Sequence, residues 1–339
     1  MTERPRQPIQ QGLFGPLESA SSPGKIVAPA MLPAELHELG RRLPPGLRLG
    51  TSSWNFPGWR GLVYAKDAAV RLLSSQGLHA YGQHPLFGTV GLDRTYYAPI
   101  SVAEYAAYAD AVPVQFRFLV KAWGELLGSA SRNSGVTSLR PLDPDAVIQH
   151  CIEPALQGLG AKLGVLLLQF PPQGAAVVRS PEHFSDRLHD FLLRLPAGVT
   201  YAVELRDAGL LVASYAEALA ATGVSHCYAV HPSQPVLSRQ MEVVPVTGPV
   251  FVRWLLRPEL QYDEAKDRYE PFHRVVDPDP TSRGSIVTLA RQALLQGVPM
   301  TIVVNNKAEG CAPESVASLA RDLALPVTNA GIPTPEGAS

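Results

Sequence analysis

Cysteine is scarce in this chain. Cys151, Cys227 and Cys311 lie far apart, are odd in number and show no C-x-x-C spacing, which excludes a disulfide framework and a cysteine zinc site. Net charge is nearly absent as well. With 29 Lys and Arg against 30 Asp and Glu, the formal charge is -1, so the chain as a whole does not attract nucleic acid or an anionic membrane. No run of about 18 uninterrupted apolar residues occurs, and MTERPRQPIQQGLFGPLES lacks the apolar stretch of a signal peptide. The expectation is a soluble, cytoplasmic protein with no membrane partner.

Several catalytic signatures are missing too. There is no G-x-S-x-G elbow for a serine nucleophile, and no H-x-H or H-E-x-x-H for a metal. Asp93, Glu204 and His231 are the residues that would have to converge on a metal, so the expectation is a site without cofactor.

What is present is enough apolar sequence for a full core, 46% of 339 residues. Residues 1–30 are rich in Pro, Gln, Ser and Gly and read as a mobile, disordered arm. Residues 31–46 hold a lead-in helix, Leu32–Leu43, stopped by Pro44-Pro45-Gly46. A single domain over 47–326 follows, then a disordered tail over 327–339.

Within that domain eight short apolar runs alternate with helical segments: Leu47–Ser53, Thr89–Asp93, Gln115–Lys121, Leu163–Phe170, Thr200–Arg206, Val224–Val230, Pro249–Leu255 and Met300–Asn306. The clearest helices are Val102–Ala111, Ala146–Leu159, Glu182–Arg194, Ala213–Ala221, Ser285–Gln296 and Pro313–Leu323. Strand then helix, repeated, predicts an α/β fold of TIM-barrel type, a (β/α)8 barrel with parallel strands. An open doubly wound sheet is the rival, but Gly50-Thr51-Ser52-Ser53-Trp54 lacks the G-x-G-x-x-G form that sheet wants after its first strand.

Barrel sites gather at the carboxyl ends of the strands. Those ends carry Trp54, Asp93, Lys121, Gln169, Glu204, Arg206, His231, Arg253, Asn305 and Asn306, whereas the strand starts carry no comparable charge. In YAVELRD, the i, i+2 spacing puts Glu204 and Arg206 on one face of a strand. They form either a structural ion pair or part of a site. Lys121 ends a strand that is otherwise buried, which suits a base, a Schiff-base nucleophile, an anion anchor or a lysine snorkelling to the rim. Lys121, Arg206 and Arg253 together would make a cationic pocket in a neutral protein.

Three loops face the same end. WNFPGWRGLVY, with Trp54, Trp59 and Tyr64, is either a hydrophobic plug or a stacking platform. Gly128–Asp143 is polar and flexible, and Leu256–Arg283 is either an ordered lid or a solvated surface helix. Asn305-Asn306-Lys307, ahead of the last helix, suits an anion or supplies plain turn chemistry.

GTSSWNFPGWRGLVY, DRTYYAP, FRFLVKAW, LLLQFPP, AVELRD, FVRW and NNKAEGCAP stand in the order and spacing of the DUF72, or YecE-like, family, which this chain resembles over roughly 47 to 325. The resemblance implies a TIM-barrel-like fold. It points to Thr51, Trp54, Trp59, Tyr64, Tyr97, Lys121, Gln169, Glu204, Arg206, Arg253, Asn305 and Asn306. The chain departs from the family pattern at Gly91-Leu92-Asp93, at Trp123-Gly124-Glu125 and at Arg253-Trp254-Leu255, each of which lacks a ligand-type residue many members carry.

The functional expectation is an enzyme acting on a small anionic or phosphorylated substrate by metal-independent acid/base chemistry. Glu204 and Lys121 are the catalytic candidates. Trp54, Trp59, Tyr64, Asp93, Tyr97, Gln169, Arg206, Arg253, Asn305, Asn306 and Lys307 are the substrate-binding ones. A nucleic-acid-binding or phosphodiester-cleaving protein and a non-catalytic ligand-binding protein are the alternatives.

Overall fold

All eight apolar runs form strands: β1 Leu47–Thr51, β2 Thr89–Leu92, β3 Arg117–Lys121, β4 Leu163–Gln169, β5 Tyr201–Glu204, β6 Ser225–Val230, β7 Val250–Trp254 and β8 Met300–Val304. They pair in parallel and in chain order, and β8 closes on β1 to complete the barrel. Runs such as LGVLLLQ and MTIVV are apolar on both faces because one face meets the bore and the other meets the helices. The computed structural model describes residues 27–128 and 141–324. The expected arm up to residue 26, most of the polar loop after β3, and the expected tail lie outside the described residues.

Strand alternation divides the core in two. Leu119, Val165, Leu167, Ala202, Cys227, Phe251 and Val303 form a cluster of their own inside the bore. The intervening residues, such as Val120, Leu166, Val203 and Val252, join the main core against the helices. At the β1/β2 seam the backbones approach so closely that a Cβ on Gly50 would lie 1.9 Å from the Thr89 carbonyl oxygen.

The helices start and stop where local chemistry directs. Ser101 and Glu104 close a capping box at the start of Val102–Asp110. Ala213–Thr222 ends at Gly223, whose φ of 67° is left-handed. The expected helix over 146–159 is instead interrupted by a π-helical turn, Ile148–Ile152. Pro154 has no N–H to return to residue 150, and the wider turn before it absorbs the mismatch. Two further helices, Val70–Tyr81 and Leu237–Val243, were not among the clearest in the pattern.

Three boundaries differ from expectation. The lead-in helix is shorter, Ala34–Arg41. Val27–Ala30, assigned above to the mobile arm, is held: Pro29 bridges Tyr64, the Ala30 N–H donates to Val63 O, and the Ala65 N–H donates to Ala28 O. The penultimate long helix begins earlier, at Pro280, because Asp279 caps it by accepting the Ser282 N–H at 2.9 Å.

Candidate active site at the barrel mouth

Two residues above the apolar bore cluster, the same inward face of each strand turns polar. Lys121, Gln169, Glu204 and Arg253 follow Leu119, Leu167, Ala202 and Phe251 by two positions, so alternation delivers all four to the carboxyl-terminal mouth. Register sets Gln169 directly beside Glu204.

Arg253 organises the group. Its Nη1 donates to Glu204 Oε2 at 2.7 Å and to Gln169 Oε1 at 3.0 Å, and its Nη2 reaches across to Asp93 at 3.2 Å. Lys121 Nζ lies 3.1 Å from Asp93 Oδ1. Arg206 Nη2 lies 2.7 Å from Glu204 Oε1, so the shared face read from YAVELRD is a real pair. Three cations therefore face two carboxylates in a space almost closed to water. Arg206 Nε and Arg253 Nε are buried without hydrogen-bond partners.

This environment separates the titrations. Burial alone would raise the Glu204 carboxyl, but Arg206, Arg253 and Lys121 together pull it down to about 2. Burial and then the charge of Arg253 lower the Lys121 amine to about 8, against the opposing pull of Asp93 and Glu204. Burial, with Arg206, pushes His231 down to about 3, and its Nδ1 accepts the Ser233 N–H at 3.1 Å. Lys121 and Lys307, whose amine burial likewise lowers to about 8, are thus the groups at this mouth poised to exchange a proton near neutral pH, while Glu204 stays ionised and clamped between two guanidinium groups.

The remaining expectations divide. Tyr97 and Lys307 are at the mouth: the Tyr97 hydroxyl is raised by burial and by Asp93, and Lys307 Nζ sits 4.2 Å above the Tyr262 ring. Trp54, Trp59 and Tyr64 are not brought to the site as substrate-binding surfaces. All three are core residues: Trp54 Nε1 donates to Leu73 O and its ring meets Tyr108 edge-on, while the Tyr64 hydroxyl donates to Trp54 O. The aromatic loop is a plug because its rings fill the space between the barrel rim and the helices.

Asn305 and Asn306 also turn inward on the chain. Asn305 Oδ1 accepts the Lys307 N–H at 3.0 Å, and Asn306 Oδ1 accepts the Ala312 N–H at 2.8 Å. The last helix, Ala312–Leu323, thus begins on an Asn306 amide oxygen rather than offering that N–H to an anion. Thr51 is likewise structural, donating its hydroxyl to Ser53 O.

Two residues were missed. Tyr96 lies under Lys121, its ring centroid 5.1 Å from Nζ, and its hydroxyl shares a hydrogen bond with Gln169. Tyr262 begins the helix Tyr262–Tyr269 in the long segment after β7. The signal was an aromatic residue four positions beyond β2 for Tyr96 and, for Tyr262, an aromatic residue in the long charged segment after β7. That segment is ordered: Arg268 and Tyr269 both bond Asp277, and the Val276 N–H donates to Glu309 O. Among the described residues no group of three or more His, Cys, Asp and Glu could hold a metal ion. No helix there is long and apolar enough to cross a membrane.

The family model described as "Protein of unknown function DUF72" matches residues 48–338. A DUF72 family protein of Thermotoga maritima is 21% identical and superposes with a TM-score of 0.56, covering 82% of this chain and 98% of its own. One from Enterococcus faecalis is 16% identical, with a TM-score of 0.54 and coverages of 83% and 97%. At such identities the likeness speaks for the fold. No curated protein matches the chain.

Proposed function

The chain belongs to the DUF72 family, and from that premise we propose that it is an enzyme acting on a small anionic substrate, held at the barrel mouth and transformed by proton transfer through Lys121. One observation carries the reading: the ion-paired group of Lys121, Arg206 and Arg253 against Glu204 and Asp93 is one positive charge in excess, and Lys307 adds a further cation near Asp93. An anion restores the balance. Arg206 Nε is a donor awaiting an acceptor. Lys121, near 8, accepts or returns a proton at working pH. Glu204 is a positioning residue in this scheme, because a carboxylate near 2 is a poor base and is not protonated to act as an acid.

Titration calorimetry with inorganic phosphate at low salt tests the reading. Binding is expected to weaken about tenfold in Lys121→Met, the scale of one lost charge-assisted hydrogen bond. In the wild type it is expected to weaken as pH rises through about 8, where Lys121 and Lys307 lose their charge, and Lys121→Met should flatten that dependence. Turnover of a panel of phosphorylated and carboxylated metabolites should instead rise through the same pH if neutral Lys121 is the base. Absence of phosphate binding, or binding indifferent to Lys121→Met, would sink the proposal.

A further inference from the structure

Ten large apolar side chains are exposed among the described residues, and just two of them are aromatic: Tyr97 at 47% and Tyr262 at 38%. Both stand at the mouth. Tyr97 follows Asp93 by four positions on the loop after β2, and Tyr262 follows Arg253 by nine on the segment after β7. Asp93 and Arg253 are the two residues that bridge beneath them at 3.2 Å. Each tyrosine also feels its surroundings in kind: Tyr262 is raised by burial, then by Tyr97, and also by Asp93.

Neither ring is a loose surface residue. Tyr97 meets the ring of Tyr96 edge-on at 5.5 Å, and Lys121 Nζ in turn lies over the Tyr96 ring. Tyr262 is fixed from one face by Lys307 Nζ, which also lies 5.7 Å from Phe272. Two exposed rings, each backed by buried structure, thus stand above the Arg253–Asp93 bridge and the excess positive charge.

We propose that the substrate is an anion carried on a flat ring or sugar, with its phosphate or carboxylate on Arg206 and Lys121 and its ring stacked on Tyr97 and Tyr262. This rests on the anionic-substrate reading above and adds the chemical class of the group that bears the charge. Tyrosine faces accept aromatic rings and the apolar faces of sugars, and such stacking is tolerant of the exact ring.

Phenyl phosphate and methyl phosphate, compared by titration calorimetry on the full chain, separate the two layers of the argument. The wild type is expected to prefer phenyl phosphate by about tenfold or more, from one stacked ring. Tyr97→Ala and Tyr262→Ala should each reduce that preference, read as the ratio of phenyl phosphate to methyl phosphate affinity in the same variant. Tyr97→Phe and Tyr262→Phe, which keep the ring, should retain it. Equal binding of the two probes by the wild type, or a preference untouched by the alanine variants, overturns the inference and leaves the anion site standing. Failure of both probes to bind overturns the inference together with the anion reading it rests on.

Discussion

The residues of the mouth differ in what their removal should do. Glu204 is fully buried and neutralises Arg206 and Arg253, so Glu204→Gln leaves charge uncompensated in a dry site. A destabilisation of about 3 kcal/mol is expected in urea unfolding, the scale for breaking a buried ion pair. Lys121 behaves oppositely. Its amine is held near 8 against an ordinary 10.5, so the folded state carries the cost of a charge the unfolded chain holds freely. Lys121→Met should therefore raise the urea midpoint at pH 7. The gain should close as pH rises from 8 to 10.5, because the unfolded chain binds more protons than the folded one in that window. A residue whose removal stabilises the fold is one retained for something other than stability.

Much at this scale was legible in advance. Alternation put Glu204 and Arg206 on one face, and the strand ends named Asp93, Lys121, Gln169 and Arg253. The aromatic loop was not legible: Trp54, Trp59 and Tyr64 read the same in sequence whether they plug a rim or line a pocket. Packing against Leu73 and Tyr108 decides it, and those contacts are long-range.

Among the elements, the eight strands were readable because runs buried on both faces leave a strong apolar signal. Helix interruptions were harder. The π-helical turn at Ile148–Ile152 answers to Pro154, a residue that sequence patterning marks only as a blemish in a helix. The strap after β7 was recognised as long and charged, and its order comes from contacts with distant residues such as Glu309 and Glu314. Gly310 is where the strap meets the last turn. It has a φ of 115°, and a Cβ there would lie 2.8 Å from the Arg274 carbonyl oxygen. Gly310→Ala should cost about 1–3 kcal/mol in urea unfolding and speed proteolysis within residues 257–279. An unchanged cleavage pattern would show that the strap does not depend on this junction.

Across the whole molecule, a formal charge of -1 conceals a positive mouth, since surface carboxylates cancel the internal cations in any count. The barrel was legible from its periodicity; the local charge was not legible from the total, only from where the cations fall on the strands. The same mouth shapes the response of the protein to acid. Glu204 titrates near 2 when folded and near 4.5 as a free carboxyl, so its contribution is complete above 4.5 and is lost as pH falls through about 2. Urea midpoints of wild type and Glu204→Gln should accordingly differ at pH 7 and converge as the solution is taken from pH 4.5 towards 2. Parallel curves would mean that Glu204 is not held by its guanidinium partners in solution.

The Arg253–Asp93 bridge joins positions 160 residues apart in the chain. During synthesis on a ribosome, Asp93 and Lys121 emerge long before the arginine that bridges to Asp93. Glu204 must likewise wait for its second guanidinium. A nascent chain that has not released β7 has most of its strands and none of its finished mouth, so the mouth is completed only once β7 has left the ribosome.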